Sequence, residues 1–365
     1  MKVLWVIGSL ENGGAERVLL KVVNDLSVYG IESTIFVLSN KVSLLKDIEV
    51  KATVITAIND SSSLRFNVFS VLYRLFIESK KNEVIIGALE FVPSYFSKLI
   101  SLITNRKNLN WFHTRYSSYV DDMSFLNKIL ANAFYKRCSD IIFVSESARL
   151  DFIKTLHLTS NINRYRVIYN PITHDFPLSF VRNQPDMCDI SDKIVKFLIV
   201  GRLEPVKNII FFIDVLFLAK KLGLVFSLDI VGDGSLYIEL KDKIVSLNLV
   251  DNIRLLGYKN DIANFYNDAD FLIVPSIYEG FGGVVLEAYY HSLPVITFTD
   301  SGGPAELLKI LDFGHASTNR DVNLFAEELI KISENKAIFN FIPQQNNVFE
   351  IKNIMSHWIA LLRSL

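Results

Sequence analysis

The sequence predicts an α/β protein made of two doubly wound parallel sheets, and three observations lead there. Short apolar runs alternate along the chain with helix-length amphipathic stretches, the rhythm of parallel βαβ units. The length of 365 residues, half of them hydrophobic, suits two domains that each bury a core. Glycines and charged residues recur directly after the apolar runs, which is where ligands bind in sheets of this kind.

In the first half the strands are expected at Val3–Gly8, Thr34–Leu38, Thr53–Ala57, Val84–Leu89, Asn110–His113, Ile141–Val144 and Arg166–Tyr169. In the second half they are expected at Lys196–Val200, Ser227–Val231, Ile253–Leu256, Phe271–Val274 and Pro294–Thr297. Between the two sets, Phe176–Asp192 holds Pro177 and Pro185 and shows no clear period, so it reads as a linker. The expected layout is a first domain over 1–175, a linker over 176–192 and a second domain over 193–345. Residues 346–365 form a last helix that could pack back toward the N-terminal domain, His357–Leu365 being its apolar part.

Composition narrows the function classes. A net charge of −1 gives no support for nucleic-acid binding. The halves differ, however: residues 1–175 carry 21 Lys+Arg against 16 Asp+Glu, and the remainder carries 17 against 23. The basic residues Lys80, Lys81, Arg106, Lys107, Lys136 and Arg137 suit an anionic membrane surface or a lipid diphosphate, with a plain solvated surface as the alternative. Two cysteines, Cys138 and Cys188, make no disulfide framework, and no Cys/His cluster has metal-ligand spacing. A reducing cytoplasm follows. The N-terminal KVLWVIGSL reads as a first buried strand rather than a signal peptide. The apolar stretch Ile209–Ala219 contains Asp214 and falls short of the roughly 18 residues a membrane span needs, so any membrane contact should be peripheral.

The richest stretch is Tyr278–Ala288, YEGFGGVVLEA, which reads as a glycine-rich loop between a strand and a helix. A helix N-terminus gathers unpaired N–H groups and attracts phosphate. Gly280, Gly282 and Gly283 would let a ligand approach the backbone, with Glu279 in the loop and Glu287 a turn inside the helix. One carboxylate can face the reacting part of a ligand while the other grips a diol, as a nucleotide sugar would require. Arg202 and Lys207, in VGRLEPVKN after a buried strand, can reach a diphosphate as a fork and a point charge, or else flank a helix start at the surface. Gly232-Asp233-Gly234 is a second glycine turn after a strand, and Gly13-Gly14-Ala15-Glu16-Arg17 opens the first helix. His113 ends an apolar strand, as a substrate contact or a structural histidine. Ser145 suits a helix cap. The triplet Asp268-Ala269-Asp270 has metal-binding spacing but leads into the amino end of a strand, away from where ligands lie.

Together these residues resemble the retaining glycosyltransferases of family 4, with the GT-B fold of two Rossmann-like domains facing a central cleft. The matching pieces are Gly13–Arg17, GRLEPVKN at 201–208, VGDG at 231–234, LGY at 256–258, YEGFGGVVLEA at 278–288 and SGGPAE at 301–306. The resemblance implies that Arg202 and Lys207 hold the donor diphosphate, that Glu279 sits beside the donor sugar and that Glu287 binds the ribose. It places the backbone of Phe281 and Gly282 near the sugar or phosphate, Gly257 and Tyr258 beside the base, Gly14 against the diphosphate and His113 near the reaction centre. Gly13, Gly201, Gly232 and Gly280 join the donor-binding set. It further implies a metal-independent, front-face reaction with retention, a nucleotide-sugar substrate and no cofactor. Asn170-Pro171-Ile172 and the richness in Ile, Asn, Lys and Phe point toward members that build bacterial surface polysaccharides such as O-antigen. The expected donor is a UDP-sugar, and the expected acceptor a lipid-diphosphate saccharide at the inner face of the cell membrane. The competing readings are an epimerase or phosphorylase on the same fold, or a subunit that only binds.

Overall fold

The computed structural model describes all residues except 12, 47, 59–63, 139, 161, 173–193 and 336–347; the side chains of Arg65 and Phe66 are also not described. The chain divides into two compact units, Met1–Thr173 with Asn346–Leu365, and His174–Gln345.

The first unit begins with β1 (Lys2–Ile7), α1 (Gly14–Val28), β2 (Glu32–Val37), β3 (Thr53–Thr56), α2 (Leu64–Ser79), β4 (Val84–Gly87) and α3 (Val92–Thr104). It continues with β5 (Lys107–Phe112), α4 (Tyr116–Val120), α5 (Phe125–Lys136), β6 (Asp140–Phe143), α6 (Glu146–Thr155) and β7 (Tyr165–Val167). The sheet order is β3-β2-β1-β4-β5-β6-β7 and every pairing is parallel. The chain steps outward from β1 to β3, then returns to lay β4 on the other side of β1. Between those two strands the loops diverge, which opens room for a ligand at their carboxyl ends. The central strands β1 and β4 are rich in apolar residues because helices cover both faces. Alternate residues divide between the faces: Leu4 and Val6 join a core with Val71 and Leu75 of α2 and Ile100 of α3. Tyr135 of α5 and Phe152 of α6 pack with Phe112 and Phe143 farther along the same face.

The second unit runs β8 (Val195–Val200), α7 (Ile209–Lys221), β9 (Phe226–Val231), α8 (Tyr237–Ser246), β10 (Ile253–Gly257), α9 (Ala263–Asp268) and β11 (Phe271–Ile273). Then come α10 (Gly283–Tyr290), β12 (Val295–Phe298), α11 (Gly303–Leu311), β13 (His315–Ser317) and α12 (Val322–Glu334). The order β10-β9-β8-β11-β12-β13 is again wholly parallel, with its reversal between β8 and β11. The apolar stretch from Ile209 is α7, buried at Ile209, Phe212, Ile213, Val215, Leu216 and Ala219, so it is a core helix. No helix among the described residues is long and apolar enough to cross a membrane. The twelve expected strands are all present with ends shifted by a few residues. The short β13 was not anticipated, because His-Ala-Ser lacks the β-branched and aromatic residues that mark a strand.

The last helix, α13 (Ile351–Ser364), belongs to the first unit. Its Trp358 is fully buried and meets Trp5 of β1 and Trp111 of β5 edge-on, with ring centroids 5.6 and 4.8 Å apart. It therefore covers the sheet face opposite α2 and α3. Cys138 is buried and free, while Cys188 and the expected linker lie outside the described residues. Asp270 accepts the Lys196 amide at 2.8 Å, a strand-tying contact at the amino edge of the sheet. Replacing Trp358 with Ala should lower the unfolding free energy by about 3–5 kcal/mol, measured by urea titration, since the cavity would open between two other indoles. A loss under 1 kcal/mol would mean the helix is not held through this residue.

Candidate functional site

The reversal between β8 and β11 brings together side chains that the sequence had marked separately. Lys207 lies in the tight turn Pro205–Lys207 after β8, and Glu279 lies in the loop after β11. A backbone bond from Ile277 N to Val206 O, 2.9 Å, ties the two loops. Lys207 Nζ then reaches Glu279 Oε1 at 2.9 Å, and Ser276 Oγ donates to the same oxygen at 2.7 Å. The two charged side chains are only 20% and 13% exposed. An ammonium has three donors, so one that pairs with a carboxylate retains the capacity to hold a phosphate oxygen. Arg202 sits on the same segment with its side chain exposed, and among the described residues it makes no ion pair.

Three glycines form a row across neighbouring strand ends. Gly232 N donates to Gly257 O at 2.9 Å, and a Cβ placed on Gly232 would lie 1.8 Å from Gly201 O. No side chain fits there, so β8 and β9 end in bare backbone. Gly201 is also beside the lysine: a Cβ on it would stand 3.8 Å from Lys207 Nζ. Tyr258, just past Gly257, is 47% exposed.

The loop bearing Glu279 is fixed from several sides. Glu279 N donates to Ser301 O and Gly303 N donates to Glu279 O, each at 2.9 Å. Gly302 makes this possible at φ +79, where a Cβ would strike the Tyr278 ring at 2.4 Å. Arg320 donates to the carbonyls of Pro275 and Ser276 at 3.2 and 2.9 Å and grips Asp300 through two nitrogens. Its guanidinium also lies 4.1 Å from the Phe298 ring centre. Beyond Gly280 and the buried Phe281, Gly282 at φ +82 precedes α10. On that helix Glu287 accepts from the Tyr266 hydroxyl at 2.6 Å. Burial first, and then the Glu287 and Glu279 charges, push the Tyr266 phenol well above its usual range, so it stays protonated and donates. The Glu279 and Glu287 charges therefore both act on one phenol. Tyr266 in turn stacks on His291, whose Nδ1 meets Asn267 Oδ1 at 2.7 Å.

In the first unit, Gly13 and Gly14 open α1 as expected, with the Glu16 carboxylate folded over Gly13. His113 follows β5 immediately. Its ring packs on Trp111 at 4.3 Å, and its Nε2 is buried without a hydrogen-bond partner among the described residues. Burial pulls its pKa down to about 3, against a smaller opposite effect of a hydrogen bond to the Ala88 backbone, so the imidazole is neutral at neutral pH. Glu90 accepts from the amides of His113 and Thr114 at 2.6 and 2.9 Å, and burial raises its pKa despite those bonds. Ser145 caps α6 by accepting from Ala148 N at 3.1 Å, a structural role. No group of three or more His, Cys, Asp or Glu able to hold a metal occurs among the described residues.

Sequence reasoning missed Ser276, Tyr266, Arg320 and Glu90. Glu90 obeys the same strand-end rule that selected His113 and could have been found by it. Ser276 lies three residues before Glu279, but Tyr266 and Arg320 have no local signal, since their partners come from distant segments.

Residues 184–348 match the family Glycosyl transferases group 1. The chain is 24% identical to the poly(ribitol-phosphate) alpha-N-acetylglucosaminyltransferase of Staphylococcus aureus, over 74% of this chain and 54% of that protein. It is 25% identical to the GalNAc-alpha-(1->4)-GalNAc-alpha-(1->3)-diNAcBac-PP-undecaprenol alpha-1,4-N-acetyl-D-galactosaminyltransferase of Campylobacter jejuni, over 99% of this chain and 98% of that one. The crystal structure of Anabaena HepE in complex with UDP and glucose superposes with a TM-score of 0.79 at 20% identity, covering both chains fully. The architecture is thus GT-B.

Replacing Arg320 with Gln should cost about 1.5–3 kcal/mol of stability, because charge-assisted bonds to two carbonyls and a carboxylate are lost. Sugar-transfer turnover should fall as well, with Arg320→Lys retaining more of both. Wild-type melting and turnover for Arg320→Gln would show that the loop holds Glu279 without it.

Proposed function

We propose that the chain moves a hexose or N-acetylhexosamine from a UDP-sugar to a saccharide on a lipid diphosphate, with retention, during assembly of a surface polysaccharide. The observation that supports this most is the Lys207–Glu279 pair at the reversal point of the second sheet, with Arg202 on the same segment. The names of the Campylobacter and Staphylococcus relatives, an undecaprenol-linked and a poly(ribitol-phosphate) glycosyltransferase, and the UDP bound in HepE, favour these substrate classes.

In this reading Arg202 and Lys207 neutralise the diphosphate as the glycosyl bond breaks, so no divalent metal is required. The bare backbone at Gly201 and Gly232 admits the phosphates, and Gly257 with Tyr258 borders the base. Glu287, oriented by Tyr266, accepts from the ribose hydroxyls. Glu279, held by Ser276 and Lys207, stands beside the sugar with the Gly280–Gly282 backbone, and the acceptor proton passes to the departing phosphate oxygen. Gly13 and Gly14 would approach the donor from the first unit. His113, being neutral, serves as a hydrogen-bonding group near the sugar and not as a charge. The enzyme would work in the cytoplasm, peripherally on the inner membrane face.

Arg202→Ala or Lys207→Ala should each lower kcat about 10²–10³-fold, the scale for one preorganised charge contact, whereas Glu287→Ala should chiefly raise KM for the nucleotide sugar. Undiminished transfer in all three variants refutes the assignment. Full activity in EDTA tests the metal-free mechanism. A thermal-shift screen of UDP-, GDP- and ADP-sugars, followed by transfer to synthetic lipid-diphosphate saccharides, decides the substrates; stabilisation by GDP- or ADP-sugars alone would overturn the UDP choice.

A further inference from the structure

We propose that Glu90 is a positioning residue for His113: its carboxyl, set in place by a strained turn after β4, holds the backbone that presents the imidazole to the donor sugar. The effect on transfer rests on the reading that His113 stands beside that sugar; the positioning itself does not.

β4 ends at the reversal between β1 and β4, where a doubly wound sheet opens toward a ligand. Ala88 still pairs with β1, its N–H donating to Val6 O at 2.8 Å. Two residues later Glu90 is 7% exposed, and His113 N and Thr114 N both donate to its Oε1, at 2.6 and 2.9 Å. One carboxyl oxygen thus satisfies two consecutive N–H groups that have left the β5 ladder. The His113 ring meets the same stretch of chain, since it bonds to the Ala88 backbone and packs on Trp111. Ala88 holds the histidine by its ring and Glu90 holds it by its main chain.

The next residue shows that this placement is built in. Phe91 sits at φ 58 and ψ −107, a conformation that a residue with a side chain disfavours. Such strain persists only where the surroundings over-determine it, and it collects at functional sites. Here Phe91 N donates to the Tyr135 hydroxyl at 2.6 Å, and Tyr95 N donates to Phe91 O at 2.7 Å as α3 begins. The Phe91 ring lies 5.0 Å from that of Tyr119, edge-on. The sharp turn lets a helix start at Val92, two residues after the carboxyl, while Glu90 stays beside the end of β5. Burial raises the Glu90 pKa against the pull of the two amides, which fits a hydrogen-bond acceptor better than a counter-charge. A neutral carboxamide offers an acceptor oxygen at the same place.

The test compares full-length Glu90→Gln, Glu90→Met, His113→Ala and the double variant Glu90→Met/His113→Ala. Turnover, UDP affinity and the imidazole NMR signals are measured for each. Glu90→Met keeps the length and removes the acceptor, so turnover should fall about tenfold to a hundredfold. Its UDP affinity should stay at the wild-type value, and its His113 ring signals should shift. Glu90→Gln should keep most of the turnover and leave those signals in place. The double variant should be no slower than His113→Ala, because Glu90 acts through the histidine. Effects that multiply would overturn the proposal, as would unshifted His113 signals in Glu90→Met, or a Glu90→Gln as slow as Glu90→Met. Wild-type turnover by His113→Ala would refute the reading of His113 instead, and the ring signals would still decide the positioning. Should Glu90→Met not fold, Glu90→Asp, whose carboxylate stops one methylene short of the two amides, takes its place under the same expectations.

Discussion

The Lys207–Glu279 ion pair is the interaction on which the rest of the second unit's site depends. It exists because the strand order reverses between β8 and β11, so the loops leaving these adjacent strands part and leave a crevice between them. The bond between Ile277 and Val206 holds the two loop backbones in register, and the pair closes the crevice at side-chain level. The bare glycine backbone at Gly201 and Gly232 matters for the same reason. A residue with a Cβ at Gly232 would push β9 from β8 and move the segment that carries Arg202 and Lys207.

A partly buried ion pair is weak evidence for stability, because removing two charges from water offsets most of their attraction. What such a pair does well is fix position. Ser276 and Lys207 share one oxygen of Glu279, the Ser301 and Gly303 bonds hold its backbone, and Arg320 clamps the two residues that precede the loop. So many restraints on one carboxylate mean that little reorganisation is left for the moment when charge develops on a ligand. Preorganised electrostatics of this kind is the largest single contribution in many enzymes. Tyr266 plays the matching part for Glu287, with burial keeping its proton in place.

The sequence made twelve strands legible because each carries apolar residues that stand apart from the helix-length stretches on either side. It did not reveal β13, whose three residues are held by side chains rather than by apolar burial: His315 and Ser317 both bond to Glu328 of α12. Strand-end position correctly singled out Lys207 and Glu279 but could not say that they touch, since contact depends on which strands are neighbours. Arg320 shows the limit more sharply. It lies past the last strand, and its role arises only when β12 and β13 lie beside β11. Glu90 was within reach of the same rule and was passed over, because its strand is short and the helix after it starts at once.

Charge counting illustrates how placement, not totals, makes chemistry. The second half of the chain is the acidic one, yet it holds the proposed phosphate-binding cations. At physiological ionic strength a charge is felt over about 8 Å, so a distant surplus of carboxylates does little to a lysine in a half-buried crevice. The first half is basic, but its proposed sugar-facing edge is occupied by a neutral histidine and a carboxylate whose pKa burial has raised. Its surplus cations instead follow the far ends of α2, α3 and α5, at the opposite edge of the sheet from His113. A parallel sheet thus separates two tasks by direction alone. Strand ends gather the proposed small-molecule chemistry at one edge, and helix ends gather cations at the other.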